Sequence, residues 1–329
     1  MEACAGSTEN HGAENLNVAK SSKNDGRSGR NLFESVTIAT PIETRTIPMV
    51  HSRGYNPSMA DFNNETFYSY RWHPNPKNWR TEIAIVRNGV EKPLLPPEQY
   101  AKHSIEDGRF FVWQKKLHLS VTVARSRVSG QSLDPCISGY GELREEFEGW
   151  RLHNWIEPKH PDNTWSKATK NIVYFQRGEH LLMTWTTSPN HVVHQLDEVG
   201  RIVTGWRTES PKCPFGSYRG GTQSFSYEGS RLRFCHAVQN NPKAVQYWGY
   251  YLAAYVFEPD PPFRILKVSQ QPIMGGNEFY EPNCPHWKPR ICIPYGAVPR
   301  GDGWRVSIGI NDCECALADV TRWDLNFDL

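Results

Sequence analysis

The run Glu106-Asp107-Gly108-Arg109 puts two carboxyl groups beside a fixed positive charge. A carboxyl group can move a proton when burial or neighbours tune its pKa. Arg can hold an anion through its bidentate fork, and Lys can do so as a point charge. Similar polar clusters recur just before apolar runs: Asn56-Pro57-Ser58, Lys170-Asn171, Arg219-Gly220-Gly221-Thr222 and Asn311-Asp312. A second set follows such runs: Tyr70-Arg71, Ser188-Pro189-Asn190-His191 and His236. Asn, Asp, Gly and Pro also make turns, and any one cluster read alone is a turn. Turn chemistry does not require Arg, Lys and His beside the Asp, so equivalent placement in successive repeats argues for a shared site. Plainer readings stand beside the functional one. Glu106 and Arg109 can pair across a strand entrance. His236, after Phe234-Cys235, can be a satisfied core histidine. Asp312 can be a turn acid, and His191 a loop residue. The 219–222 run is no helix-associated phosphate loop, because a strand follows it.

The elements that must position these groups are strands. Segments 109–113 with 117–125, 172–177 with 181–186, and 224–227 with 232–236 alternate apolar and polar residues as strand–turn–strand units. Gly149, Gly178, Gly229 and Gly301 with Gly303 fall at or near the turns, where φ > 0 is needed. The unit recurs every roughly 45–55 residues, the period of a β-propeller. The expected fold is all-β, a five-bladed propeller over 33–329 with a disordered polar tail at 1–32. The blades are expected at 56–86, 107–156, 170–206, 219–268 and 291–320. Either 324–329 or an early strand at 36–40 is expected to close the ring and remove exposed edges. The 141–151 run (GELREEFEGWR) is the best short amphipathic helix candidate. A propeller gathers the starts of its innermost strands around one funnel, so polar groups from distant segments can meet there.

Composition bounds the function classes. The chain has 329 residues, 12% of them aromatic, with a formal net charge of +2. That supports a large core and fits both sheet packing and stacking on sugar rings. Lys and Arg are not clustered as a nucleic-acid surface requires. No apolar run approaches a membrane span, and the polar start carries no secretory h-region, so the expected location is cytoplasmic. The eight cysteines lack paired zinc spacing, which leaves no metal site and free thiols as the expectation.

The clusters also resemble a known family. Asn56-Pro57-Ser58 followed by Tyr70-Arg71 is similar to the opening blade of glycoside hydrolase family 130 propellers, which are largely β-mannoside phosphorylases. Intracellular β-1,2-mannosyltransferases share that fold. Glu106-Asp107-Gly108-Arg109 resembles the family's Glu-Asp-Pro-Arg signature. The run 250–257 (YYLAAYVF), Pro261-Pro262-Phe263-Arg264-Ile265-Leu266 and Pro272-Ile273 resemble the fourth blade, whose preceding strand ends in His, here His236. Ile293-Pro294-Tyr295-Gly296-Ala297-Val298 and Gly309-Ile310-Asn311-Asp312 resemble the fifth. The similarity spans about 50–320. The chain departs from it in places: Gly108 replaces Pro and loosens the backbone beside Asp107, Tyr295 stands where Cys is common, Ser307-Ile308-Gly309 replaces a more aromatic run, and Lys170-Asn171 and Arg219-Gly220-Gly221-Thr222 look more like a divergent branch of such propellers.

The resemblance implies a carbohydrate-active enzyme, an inverting glycoside phosphorylase or a related glycosyltransferase acting on β-mannoside-type glycans. Asp107 matches the family's acid, which exchanges a proton with the bridging oxygen. Asn56, Arg71, Glu106, Asn171, His191, Thr222 and Asp312 are the candidates for holding the sugar. Arg109, Lys170, Arg219 and His236 are the candidates for holding phosphate or the diphosphate of a sugar nucleotide. No cofactor is expected, inorganic phosphate or a sugar nucleotide serving as co-substrate. The expected partner is an oligosaccharide or sugar phosphate, with no nucleic acid and no membrane. The rival reading is a non-catalytic glycan-binding or scaffold propeller, which the Gly108 and Tyr295 departures favour.

Overall fold

The computed structural model describes residues 44–47, 54–75, 80–124, 136–159, 170–240, 248–275 and 291–327. The chain divides into Met1–Ser35 and Val36–Leu329, and every described residue lies in the second unit. Among the described residues the protein is all-β, with two short 3-10 turns at Glu98–Tyr100 and Arg322–Leu325.

β1 (Thr44–Thr46) precedes an antiparallel meander of β2 (Tyr55–Phe62), β3 (Glu65–Trp72), β4 (Glu82–Arg87) and β5 (Val90–Leu95). A second meander holds β6 (Ser104–Trp113), β7 (Lys116–Ala124), β8 (Ile137–Glu145) and β9 (Trp150–Ile156). A short parallel pairing of β5 with β9, Leu94↔Trp150 and Leu95↔Arg151, joins the two into one eight-stranded sheet. β10 (Val173–Arg177), β11 (His180–Thr186), β12 (Asn190–Leu196) and β13 (Ile202–Glu209) form a third meander. In the next sheet β14 (Ser217–Arg219) and β15 (Phe225–Tyr227) both pair with β16 (Ser230–Asn240). β16 pairs with β17 (Trp248–Phe257), which carries β18 (Ile265–Val268) and β19 (Met274–Gly275). The last sheet runs β1-β22-β21-β20, with β20 (Cys292–Arg300), β21 (Gly303–Ile310) and β22 (Glu314–Val320).

The local reasons are turn chemistry and alternation. Asn88-Gly89 and Glu228-Gly229 sit at positive φ between paired strands, the backbone that a tight hairpin needs. Asn63-Asn64 does the same between β2 and β3. The expected helix at 141–151 is instead the end of β8, a turn and the start of β9. Helix propensity loses there to strand packing: a Cβ on Gly141 would stand 2.8 Å from the His153 carbonyl oxygen. The outer strand of the last sheet is β1 rather than the expected 324–329 segment. β1 pairs with β22 through Thr44↔Ala318, Arg45↔Leu317 and Thr46↔Ala316. The 324–329 segment begins as a 3-10 turn, because Asp324 is consumed in capping it: its carboxylate accepts from the Thr321 backbone N–H and hydroxyl, both at 2.7 Å. Segment 36–40 and the tail 1–32 lie outside the described residues.

The first strands of several meanders converge. β2 packs against β6 and β20, and β6 against β10. Ser58 ties three of them: its hydroxyl donates to the Tyr295 carbonyl at 3.3 Å and accepts from the Phe110 N–H at 3.3 Å. Gly296 lets β20 lie directly on β2, where an added Cβ would stand 2.3 Å from the Met59 nitrogen and 2.5 Å from its oxygen. Backbone cannot yield as a flexible side chain can, so Gly296→Ala is expected to destabilise by about 2–4 kcal/mol. Urea unfolding of the variant checks this, and an unchanged midpoint would refute the close approach.

Cys136, Cys213, Cys235, Cys292 and Cys315 are free. Cys313 is disulfide-bonded, which corrects the free-thiol expectation at that position. Among the described residues no helix is long and apolar enough to cross a membrane.

Candidate functional site

Side chains in a regular strand alternate faces, so neighbours such as Glu106 and Asp107 would point apart. A bulge prevents this. Register shifts between Glu106 and Arg109 in β6, and Asp107 takes φ 54°. Both carboxylates then reach one guanidinium: Arg71 meets Glu106 at 3.2 Å and Asp107 at 3.6 Å. The same device recurs on two neighbouring strands. β2 shifts register between Tyr55 and Ser58, with Asn56 at φ 56°. β20 shifts between Pro294 and Gly296, around Tyr295. Three bulged strands thus supply Asn56, Asp107 and Tyr295.

Around Asp107 the groups interlock. The Tyr295 hydroxyl donates to its carboxylate at 3.3 Å, and the Arg109 guanidinium lies 4.3 Å from the Tyr295 ring centroid. Arg109 also donates to the Gly221 carbonyl at 3.1 Å and to the Asn171 side-chain oxygen at 3.3 Å. Lys170 closes on Glu106 at 2.7 Å. Asn56 donates to Asp312 at 3.4 Å and packs on Gly309, where a Cβ would stand 2.2 Å from its side-chain oxygen. Arg71 in turn lies over the Tyr55 ring at 4.9 Å.

The electrostatics follow from that packing. Burial works to raise the Asp107 pKa, but Lys170, Arg71 and Arg109, with the Tyr295 hydrogen bond, outweigh it and hold the carboxyl below its ordinary value. Burial works to lower the Lys170 pKa, and Asp107 and Glu106 reverse this and raise it. The Tyr295 phenol is pushed well up by burial and then by Asp107. His236 is pushed down to about 3 by burial, then by Arg109 and Arg219. It is neutral at physiological pH, its Nδ1 has no partner among the described residues, and it lies edge-on to Tyr250. Asp107 therefore stands ionised among cations, able to accept a proton as it is and to donate one only after acquiring it.

Of the residues expected from sequence, Asn56, Arg71, Glu106, Asp107, Arg109, Lys170, Asn171 and Asp312 are brought into one contact network. Arg219 is exposed, opposite His236 in the β14–β16 register, and acts on His236 through charge. Thr222 is buried, with its hydroxyl on the Gln223 carbonyl at 2.8 Å. Its neighbour Gly221 makes the Arg109 contact. His191 lies apart from the network. It is fully buried, with Nδ1 on the Phe263 carbonyl at 2.7 Å and its ring edge-on to Tyr255 and Phe257. It is a core histidine rather than a loop residue. Tyr295 is the residue that sequence reasoning passed over, noted there only as a departure. The available signal was a phenol between Pro294 and Gly296, where a regular strand is already interrupted.

No family model matches the chain, and no curated protein matches it. Solved structures do. The β-1,2-mannobiose phosphorylase from Listeria innocua aligns at TM-score 0.59 and 15% identity, over 85% of this chain and 94% of that one. MPT-1, a GDP-Man-dependent mannosyltransferase from Leishmania mexicana, aligns at 0.61 and 11%, over 88% and 91%. MPT-4, a mannose phosphorylase from the same organism in complex with a phosphate ion, aligns at 0.57 and 13%, over 90% and 95%.

Proposed function

We propose that this chain, whose fold is a divergent one of the glycoside hydrolase family 130 type, is a five-bladed propeller that transfers a mannosyl unit with inversion. The donor is either a β-mannoside, cleaved by phosphate, or a nucleotide sugar. The observation that carries the reading is Asp107 held ionised at a bulge, facing Arg71, Arg109 and Lys170. The four sheets, the eight-stranded one made of two meanders, and the convergence of β2, β6, β10 and β20 support the blade count. Structures similar to this one include enzymes whose substrates are β-1,2-mannobiose and GDP-mannose.

The chain's own residues divide the work. Arg109, Lys170 and Arg219, with His236 behind them, hold phosphate or diphosphate. Arg71, Asn56, Glu106, Asn171 and Asp312 fix the sugar. In phosphorolysis a phosphate oxygen attacks the anomeric carbon, the glycosidic C–O bond breaks on the opposite face, and Asp107 gives its proton to the leaving oxygen. In transfer from a nucleotide sugar, Asp107 instead takes the acceptor hydroxyl proton as the diphosphate leaves. No cofactor is needed in either case.

The two directions differ in sign with pH. Phosphorolysis needs protonated Asp107, so its kcat/KM falls as pH rises above that group's pKa. Transfer needs the ionised form, so its kcat/KM rises to a plateau over the same interval. The low pKa of Asp107 favours transfer for the free protein, and a bound phosphate dianion would raise it towards use as an acid. The test is a screen of phosphate with β-mannosides, beside GDP-mannose with mannoside acceptors, followed by pH profiles for the active pair. A second reading, a glycan-binding scaffold, is favoured by one observation: Glu106 already pairs with both Arg71 and Lys170. Saturable sugar binding without turnover in either screen would establish it.

A further inference from the structure

The Tyr295 phenol bridges Asp107 and Arg109, and the division of work among the site residues leaves it without a role. Its place is fixed by backbone: the Tyr295 carbonyl accepts from the Ser58 hydroxyl at 3.3 Å, and Gly296 beside it is pressed onto Met59. Tyr295 is 2% exposed, so the ring has no room to swing away. Its hydroxyl donates to Asp107 Oδ1 at 3.3 Å, and its ring centroid lies 4.3 Å from the Arg109 guanidinium. Arg71 Nη1 also approaches Oδ1, at 3.6 Å. Both contacts thus fall on one oxygen. Among the described residues nothing pairs with Oδ2, and Asp107 keeps 9% of its surface exposed. Arg109 is the cation placed to cover Oδ2, two residues along the same strand. It is buried, and among the described residues it pairs with no carboxylate. Nε and Nη2 are engaged by the Gly221 carbonyl at 3.1 Å and the Asn171 side chain at 3.3 Å. Nη1 reaches the Asp107 backbone carbonyl at 3.5 Å and not its carboxylate. A guanidinium beside a carboxylate ordinarily closes into a charge-assisted pair. Here its face rests on the Tyr295 ring instead.

We propose that Tyr295 positions Asp107 for proton transfer: the hydroxyl anchors Oδ1, the ring keeps Arg109 off Oδ2, and Oδ2 is the oxygen that gives or takes the proton. Such a role rests on Asp107 being the acid or base proposed for the reaction. An oxygen locked in a guanidinium fork is a poor base, because its lone pairs are already occupied. Held on the ring, Arg109 still favours the ionised carboxylate through its charge, without covering the oxygen that reacts. Tyr55 of β2, Arg71 of β3, Lys170 ahead of β10, His236 of β16 and Asp312 after β21 also act on this pair, with Glu106 beside Asp107 on its own strand. Substitution at 295 leaves all of those groups in the chain, so a changed titration of Asp107 reports on the phenol.

Tyr295→Phe and Tyr295→Leu separate the hydroxyl from the ring. The first removes the donor and keeps the stacking surface, so the plateau kcat/KM on the substrate found by screening is expected to fall about 2–10-fold. Its Asp107 limb should move to higher pH, because a bond to the ionised form is gone. The second also frees Arg109 to close on Oδ2, so the loss should reach about 10²-fold and the limb should move to lower pH. A side chain that merely fills space would move both limbs the same way or neither, and that outcome overturns the proposal. Crystals of the variants at neutral pH give a readout independent of turnover. Arg109 is expected to stay over the ring in Tyr295→Phe and to reach the Asp107 carboxylate at about 2.8 Å in Tyr295→Leu. An unmoved Arg109 in Tyr295→Leu overturns the proposal. If Tyr295→Leu does not fold, Tyr295→Phe decides alone: Arg109 still on the ring supports the role, and Arg109 turned onto Oδ2 overturns it. A fully active Asp107→Asn refutes the acid–base reading itself, whereas an inactive Asp107→Asn beside Tyr295 variants of wild-type rate refutes the positioning role alone.

Discussion

Asp107→Asn is expected to reduce turnover by about 10²–10⁴-fold while the protein remains folded. Asn keeps the size and the ability to accept from Tyr295, but it neither gives nor takes a proton at the reacting oxygen. The fold should survive because Glu106 remains to neutralise Arg71 and Lys170, at 3.2 Å and 2.7 Å. The bulge also remains favourable, since Asn tolerates the left-handed backbone that Asp107 adopts at φ 54°. Initial rates on the substrate found by screening, with circular dichroism as the folding control, check this. Near wild-type rates in a folded variant would remove Asp107 from proton transfer and direct attention to Asp312. A variant that unfolds would recast Asp107 as a structural counter-ion for Arg71.

Acid is expected to destabilise the protein well above the carboxylate range. His191 is held down to about 4 by burial, partly offset by its bond to Phe263 and reinforced by Arg233. His236 is held down to about 3. In the unfolded chain both titrate near 6.5. Between 6.5 and 4 the unfolded state therefore binds protons that the folded state refuses, and stability falls as pH falls. Each histidine contributes about 3 kcal/mol of that loss by pH 4, at about 1.4 kcal/mol per pH unit. Together they remove a large part of a typical stability of about 5–15 kcal/mol. The depressed pKa of Asp107 adds a further loss only below about pH 4, its unfolded value. Urea unfolding at pH 7 and pH 4.5 measures the slope. His191→Asn keeps a donor for the Phe263 carbonyl and should lose about half of it, as should His236→Gln. A flat profile in the wild type would place both rings in contact with water.

Much of this was legible in the residues themselves. Alternation and Asn-Gly or Glu-Gly pairs locate hairpins because both act within a few residues, and Glu106-Asp107-Gly108-Arg109 announces a charged centre. Less visible is whatever depends on distant backbone. Whether His191 faces a ligand or a core is decided by Phe263, Tyr255 and Phe257, which lie 64 to 72 positions further along. Tyr295 joins the site only because β20 bulges beside β2 and β6. The helical pattern at 141–151 is real as local propensity, and it yields to the close approach of β8 and β9 at Gly141. Asn56, Asp107 and Asn171 share a clue that composition alone conceals: all three occupy left-handed backbone at or near the start of a strand, where Asx residues are the tolerated choice.

The register Thr44↔Ala318 links strands made far apart in time during synthesis. A ribosome adding about 5–20 residues per second exposes Thr44–Thr46 tens of seconds before Glu314–Val320 exists. For that interval β1 exists without β22, the strand it pairs with. A nascent chain stalled anywhere before β22 should therefore remain sensitive to protease along β1 even after its earlier meanders have become resistant.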